Sequence, residues 1–381
     1  MNCLGVLAKI RNSVTIRVSI NRVVLVIAKF LWLILIINGF LNQPNKFGDY
    51  ARHTTIFLFL TLLIPFQNII NAQTQSKVYS EEFGAMGTYF EIKIISNNAA
   101  HAKLSLQKAK HEIEKIEALI SSWNPDSQTS VINQNTDNQL VKVDFELFSL
   151  IERSQKISKL TNGAFDISSG ILMEDWKFDG SMSQLPSRKN MRKKARKVNY
   201  RCIQLNPKDT SIFLKKKGMK IGFGAIGKGY AANKIKIYLI NLGFDNGLVN
   251  AGGDLTAWGK NEKGEPWKIG IPSPIQSQKF IRIIPIKNQA VVTSGNSEKF
   301  VLVNGKRYSH ILNPKTGYPV RGLKSVTIIH KNAEFADAMA TAIFVLGRKK
   351  GLKLLKELEG IYWIIIDNSN NIFESKSNWN D

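Results

Sequence analysis

Four short segments of this chain combine residue types suited to holding a phosphorylated ligand and moving a proton. The first is Gly222-Phe223-Gly224-Ala225-Ile226-Gly227-Lys228-Gly229-Tyr230, at the entry to a helix predicted over 229–242. Glycines let a backbone turn tightly and let phosphate oxygens approach its N–H groups, and a helix N-terminus adds a favourable dipole. Lys228 adds a point charge. The segment is not a P-loop, because Gly229 stands where G-x-x-x-x-G-K-[ST] needs a hydroxyl. It has G-x-G-x-x-G spacing, but no strongly apolar strand leads into it. The second segment, Asn250-Ala251-Gly252-Gly253-Asp254, follows an apolar strand. Two readings stay open there: a tight β-turn, or backbone approaching a ligand with Asp254 accepting from a ribose hydroxyl or an amide.

The third segment is Thr293-Ser294-Gly295, followed by Ser309-His310-Ile311-Leu312-Asn313-Pro314-Lys315-Thr316-Gly317-Tyr318-Pro319. His310 ends a strand and opens a Pro/Gly loop, where a polar group is held yet reachable. Its ordinary pKa suits a general base for a hydroxyl; a structural histidine is the alternative. In the fourth, Ala336-Asp337-Ala338-Met339-Ala340-Thr341-Ala342, Asp337 and Thr341 are four apart and project from one helix face. A carboxylate and a hydroxyl are the hard oxygen donors Mg²⁺ takes, with phosphates and water completing its shell. The alternative is an exposed aspartate and a threonine bonded back onto its helix. Each segment alone admits a structural reading. Together they describe a diphosphate held by glycine-rich backbone, Lys228 and Mg²⁺, beside a base.

The elements that must position these residues alternate without a strict βαβ order. Residues 89–95 alternate as a half-buried strand, and 100–120, 144–160 and 229–242 read as helices. Strands follow at 247–250, 267–271, 281–286, 290–293, 300–303 and 326–329, then helices at 334–346 and 349–358 and a strand at 361–366. The fold class is therefore α+β, with one catalytic domain over 73–381. With 381 residues and 44% hydrophobic residues the chain sustains a large core, which excludes a disordered chain. Two cysteines, Cys3 and Cys202, exclude a disulfide framework, a thiolate zinc site and an iron–sulfur cluster.

The formal net charge is +24, from 53 Lys+Arg against 29 Asp+Glu. Residues 1–72 hold seven basic residues and one acid, so the rest keeps 46 against 28, or +18. Residues 56–66 form an apolar run with a basic flank and small or polar residues near Ala72, the layout of a secretory signal over 51–72. The earlier apolar run, 23–41, leaves residues 1–50 as an upstream extension or a membrane anchor. The expected location is exported: periplasmic or on the outer face of the inner membrane. The basic run 188–201 reads as a solvated helix face, with an anionic membrane or nucleic acid as the alternatives. Its single aromatic, Tyr200, does not support base stacking, and nucleic acid is not an expected partner.

The ordered blocks as a set resemble the ApbE-like FAD:protein FMN transferases. The resemblance runs from about Phe83 to about Gly347 and adds Met86-Gly87-Thr88, Pro125-Asp126-Ser127, Gly163-Ala164-Phe165-Asp166 and Trp176 to the four segments. It implies a single ApbE-like, T-fold-related domain. The implied reaction is Mg²⁺-dependent: a threonine hydroxyl of a partner protein attacks the FMN-side phosphorus of FAD, and AMP leaves. It also implies that Asp337, Thr341 and the Ala225 carbonyl ligate Mg²⁺, and that Lys228 contacts FAD. Met86, Trp123, Ala164, Phe165, Asp166, Asp254, Ser294 and Ile311 would border the FAD, and His310 would be the base. The expected acceptor is a membrane-linked redox subunit, with the membrane surface as a further contact. An FAD pyrophosphatase and a non-catalytic periplasmic FAD-binding protein are the alternatives. The chain departs from the family pattern at Gly222 and Asn233, where many relatives carry Asp, and at Ser168-Ser169-Gly170-Ile171-Leu172.

Overall fold

Strand β1 (Lys77–Ala85) turns into β2 (Thr88–Ser96) through Met86 and Gly87 alone, with Ala85 directly opposite Thr88. Both turn residues have positive φ, 52° and 67°, the geometry whose twist matches the strands it joins. Six more strands follow in chain order, each antiparallel to the one before. They are β3 (Gly247–Ala251), β4 (Asp254–Trp258), β5 (Gln289–Gly295), β6 (Leu323–His330), β7 (Tyr362–Asp367) and β8 (Ile372–Glu374). The computed structural model describes residues 76–135, 139–276, 278–296 and 299–376, and from Ser76 onward the chain is one compact unit. The two N-terminal apolar runs lie outside the described residues. Among the described residues no helix is long and apolar enough to cross a membrane.

The sheet is a meander interrupted by insertions, and the insertions carry most of the chemistry. Between β2 and β3 come α1 (Ala99–Ile120), α2 (Gln128–Gln134), α3 (Phe145–Leu160), α4 (Arg188–Ala195) and α5 (Gly227–Asn241). Between β6 and β7 comes α6 (Ala333–Lys356), broken at Gly347 (φ 71°, ψ 174°), so the two helices expected at its ends form one kinked element. Helix α1 shows why these segments are helical: Ala102, Leu106, Ala109, Ile113, Ile116 and Ile120 make one buried stripe, and Asn98 caps the first turn by accepting from His101 N.

Alternate residues of each strand face opposite sides. On one side Phe90, Ile92, Val249, Val292 and Ile328 pack with Ile113 of α1, Ile235 of α5 and Phe344 of α6 in the main core. On the other, Leu248, Val291, Ile329 and Ile364 form a second core with the hairpin Trp267–Pro272 and Phe280–Ile286. The layers are thus helices, sheet and hairpin, an α+β arrangement. Cys202 is a free thiol.

Candidate active site

The hairpin between β3 and β4 sets one wall. Gly252 and Gly253 form its whole loop, with φ of 62° and 99° and Ala251 opposite Asp254, so of the two sequence readings the tight turn is present. A Cβ on Gly252 would stand 2.0 Å from Thr88 Oγ1, and Gly252 N donates to Tyr89 O at 2.8 Å. The turn therefore lies against the first hairpin, where only glycine leaves room. Asp254, at the start of β4, is 2% exposed and pairs with Lys228 Nζ at 2.5 Å. Burial pushes its carboxyl above the ordinary range, while Lys228 and the Thr293 backbone amide pull the other way. Its carboxylate is thus turned to Lys228 rather than outward.

The second wall is the packing of α5 on α6. Gly229 N donates to Asp337 Oδ2 at 2.9 Å. A Cβ on Gly229 would stand 2.3 Å from Ala333 O and 2.6 Å from Asp337 Cβ, which is why the residue after Lys228 is glycine and not the hydroxyl residue of a P-loop. Gly229 is the third residue of α5, where an N–H has no carbonyl partner within its own helix, and the Asp337 carboxylate supplies one. One turn beyond Asp337, Thr341 Oγ1 lies 3.2 Å from Ser294 Oγ on β5. Behind these residues Arg153 of α3 grips the buried Glu334 of α6 at 2.6 Å, and Tyr230 and Lys234 of α5 both reach Glu146 of α3 at 2.5 Å. No three His, Cys, Asp or Glu side chains among the described residues make a metal cage. The oxygen donors gathered here are the Asp337 carboxylate and the Thr341 and Ser294 hydroxyls, with Ala225 in the turn before α5. That set fits Mg²⁺, which prefers few protein ligands and takes phosphates and water besides.

His310 closes the third side. Its Nδ1 and its own backbone amide both lie 3.0 Å from Lys299 O. The carbonyl can only accept, so Nδ1 carries the hydrogen and Nε2 is left as the acceptor. Burial above all, with the charges of Lys228 and Lys299, holds the imidazole down at about 4 against the opposing pull of the Lys299 carbonyl. Lys299 Nζ in turn reaches Gly87 O at 3.4 Å, which ties this loop to the first hairpin.

The remaining predicted residues divide. Met86 joins the cluster, since a Cβ on Gly227 would meet its Cε at 3.3 Å and Ile120 Cδ1 at 3.0 Å. Trp123, three residues past Ile120, is 80% exposed. Ala164 and Phe165 are buried in the main core, whose members Phe223 and Ile226 flank the glycine turn. Asp166 is buried and its oxygens are engaged by Ser168 N at 2.9 Å, Ser168 Oγ at 2.6 Å and Tyr200 N at 2.9 Å. Burial raises its carboxyl despite those bonds. Ile311 is buried and its carbonyl accepts from Val320 N. At Gly222 a Cβ would meet only Gly170 Cα at 3.6 Å, so the position has room for a side chain. Sequence reasoning missed Lys299 and the clamp of Glu146, Arg153 and Glu334. Only the charged residues on the otherwise apolar pattern of α3 hinted at the clamp.

Comparison with known proteins places this geometry in a family. The model of the ApbE family matches residues 86–365. The FAD:protein FMN transferase of Buchnera aphidicola is 31% identical over 327 residues, covering 84% of this chain and 95% of its own. That of Klebsiella pneumoniae is 30% identical, covering 79% and 93%. Among solved structures, the ApbE protein of Thermotoga maritima superposes with a TM-score of 0.74 at 32% identity, covering 79% of this chain and 97% of its own. The flavin transferase ApbE of Vibrio cholerae gives 0.72 at 25%, covering 80% and 98%.

Proposed function

The chain belongs to the ApbE family, and from that premise we propose that it moves the FMN part of FAD onto a threonine hydroxyl of a partner protein, with Mg²⁺, and releases AMP. Transfer of FMN from FAD to a protein is the activity of its relatives, and the chain is a transferase of that kind. One observation carries the finer reading: Asp337, held by Gly229 N–H at the first turn of α5, stands one turn from Thr341 on α6, whose hydroxyl meets Ser294.

In this reading Asp337, Thr341 and the Ala225 carbonyl would hold Mg²⁺, which when bound neutralises charge on the diphosphate. Lys228, fixed by Asp254, lies against the same diphosphate. His310 Nε2 takes the proton of the acceptor hydroxyl as its oxygen bonds to the FMN-side phosphorus. The bond from that phosphorus to the bridging oxygen breaks, and AMP leaves with the oxygen. Most of the catalysis is positioning and charge neutralisation. Trp123, Met86 and the 164–166 segment border the rings of FAD, with Trp123 open for stacking. Export and a membrane-linked redox acceptor are supported by the apolar runs in residues 1–72 and by the basic surface.

The test uses the full chain with FAD, Mg²⁺ and an acceptor domain carrying the candidate threonine, read by in-gel flavin fluorescence and AMP release. A fluorescent acceptor is expected. AMP and FMN without labelled acceptor would mean hydrolysis, and unchanged FAD would mean a binding protein. Asp337→Ala should abolish Mg²⁺-dependent turnover; full activity in that variant removes Asp337 from the metal site.

A further inference from the structure

The basic run 188–201 plays no part in the flavin chemistry, yet it builds one wall of a cavity of about 440 Å³. Helix α4 and the residues after it supply Arg192, Arg196 and Arg201, and the loop after His310 supplies Lys315 across the opening. None of these four side chains has a carboxylate partner among the described residues; Arg201 lies over the Tyr200 ring at 4.6 Å. The carboxylates that do meet this helix are taken elsewhere. Glu174 pairs with Lys194 and Lys220, and Asp175 with Lys194 and Asn190. Asp166 also lines the cavity, but its oxygens are engaged by Ser168 and Tyr200 as described.

Tyr200 also lines the cavity and is 6% exposed; its hydroxyl is itself buried and has no hydrogen-bond partner among the described residues. The cavity is lined in addition by apolar Ala195, Val198 and Pro314. Its volume lies within the usual range for small-molecule sites. Guanidinium forks match phosphate oxygens, and the apolar walls suit an organic group attached to them. Apart from Asp166, the cavity shares no residue with the proposed FAD site.

We propose that this cavity is a separate binding site for an organic phosphate ester, held by Arg192, Arg196, Arg201 and Lys315. The ester is either a free metabolite or the headgroup of an anionic lipid. The proposal does not depend on the flavin reading.

The test uses the full chain, its Arg192→Gln/Arg196→Gln variant, the Lys315→Gln variant, and Lys349→Gln/Lys350→Gln as a control that removes two exposed charges from α6. Glycerol 3-phosphate binding is followed by calorimetry. Vesicle binding is followed by co-sedimentation with phosphatidylglycerol/phosphatidylcholine mixtures and with phosphatidylcholine alone. The arginine variant should weaken binding about tenfold or more, and Lys315→Gln should weaken it in the same direction, while the control stays within about twofold. Loss confined to glycerol 3-phosphate identifies a free ester; loss confined to the charged vesicles identifies a lipid headgroup. Unchanged circular dichroism and a Tm within a few degrees of the parent show that the variants are folded. An equal loss in the control overturns the proposal in favour of diffuse surface charge. So does the absence of binding to either probe at millimolar ligand, and so does arginine-dependent binding of polyglutamate alone.

Discussion

Replacing Gly229 by alanine sets two effects of opposite sign against each other. On helix propensity alone the change stabilises by about 1 kcal/mol. The packing of α5 on α6 says the reverse, because the new Cβ would stand 2.3 Å from Ala333 O, 2.6 Å from Asp337 Cβ and 2.9 Å from Ala333 C. None of these atoms is the free end of a side chain. Ordinary contact begins at 3.4 Å, so the helices must part by up to 3.4 minus 2.3, or 1.1 Å. Overpacking of this kind costs about 1–3 kcal/mol, and backbone contact puts it at the upper end. The net expectation is a loss of about 2 kcal/mol, or roughly 3 °C in Tm for a folded unit as long as Ser76–Asp381. Asp337 moves with α6 and loses its bond from Gly229 N–H. A shift of about 1 Å in a positioning group costs transfer on the order of a hundredfold. Thermal melts and the fluorescent-acceptor assay measure both. A variant as stable as the parent, with full transfer, would refute the packing argument and with it the explanation for glycine at this position.

Three further outcomes follow from the same geometry. With His310 held near 4, more than about nine-tenths of it stays neutral between pH 7.5 and 5.5, and kcat/KM is lost only as pH falls through about 4. An unperturbed imidazole would cost about tenfold over that interval, and a drop of that size sinks the reading. Asp254→Asn should lower kcat/KM about tenfold by releasing Lys228; in the double variant with Lys228→Ala it should add nothing, whereas additive losses would separate the two residues. Trp123→Ala should leave Tm within about a degree, since the side chain is 80% exposed, but weaken FAD binding by about 1–3 kcal/mol if the ring stacks. Unchanged affinity removes Trp123 from the site.

The elements legible in the sequence are those whose pattern is local. Helix α1 carries its apolar stripe and its cap within 23 residues, and was readable to within one residue of its start. Strand β4 was not, because Asp254 and the glycines before it read as a turn and only pairing with β3 and β5 makes the next residues a strand. The same holds for the site. Asp337 and Thr341 share a helix face by spacing alone, but that Asp254 serves Lys228 is a fact of burial, invisible until β4 is placed beside β5. Asp166 shows the limit from the other side. Its neighbours match a family block, yet its carboxylate organises the Ser168 and Tyr200 backbone. Lys299 could not be found at all, since it acts through a carbonyl, which every residue has.

The two carboxylates nearest the chemistry are each anchored by a backbone amide, Asp337 by Gly229 and Asp254 by Thr293. Each also belongs to a different packing unit: Asp337 is set by the contact of α5 with α6, Asp254 by the pairing of β4 with β5. In the proposed reading, a diphosphate would meet an Asp337 arm and a Lys228 arm that spring from neighbouring residues of α5 and are each held by a second element before it arrives. Phosphoryl transfer gains most from charges that need no rearrangement as the bond breaks. That requirement explains why a site with so few acidic side chains can suffice, and why its glycines sit where another backbone comes closest rather than where a loop must bend.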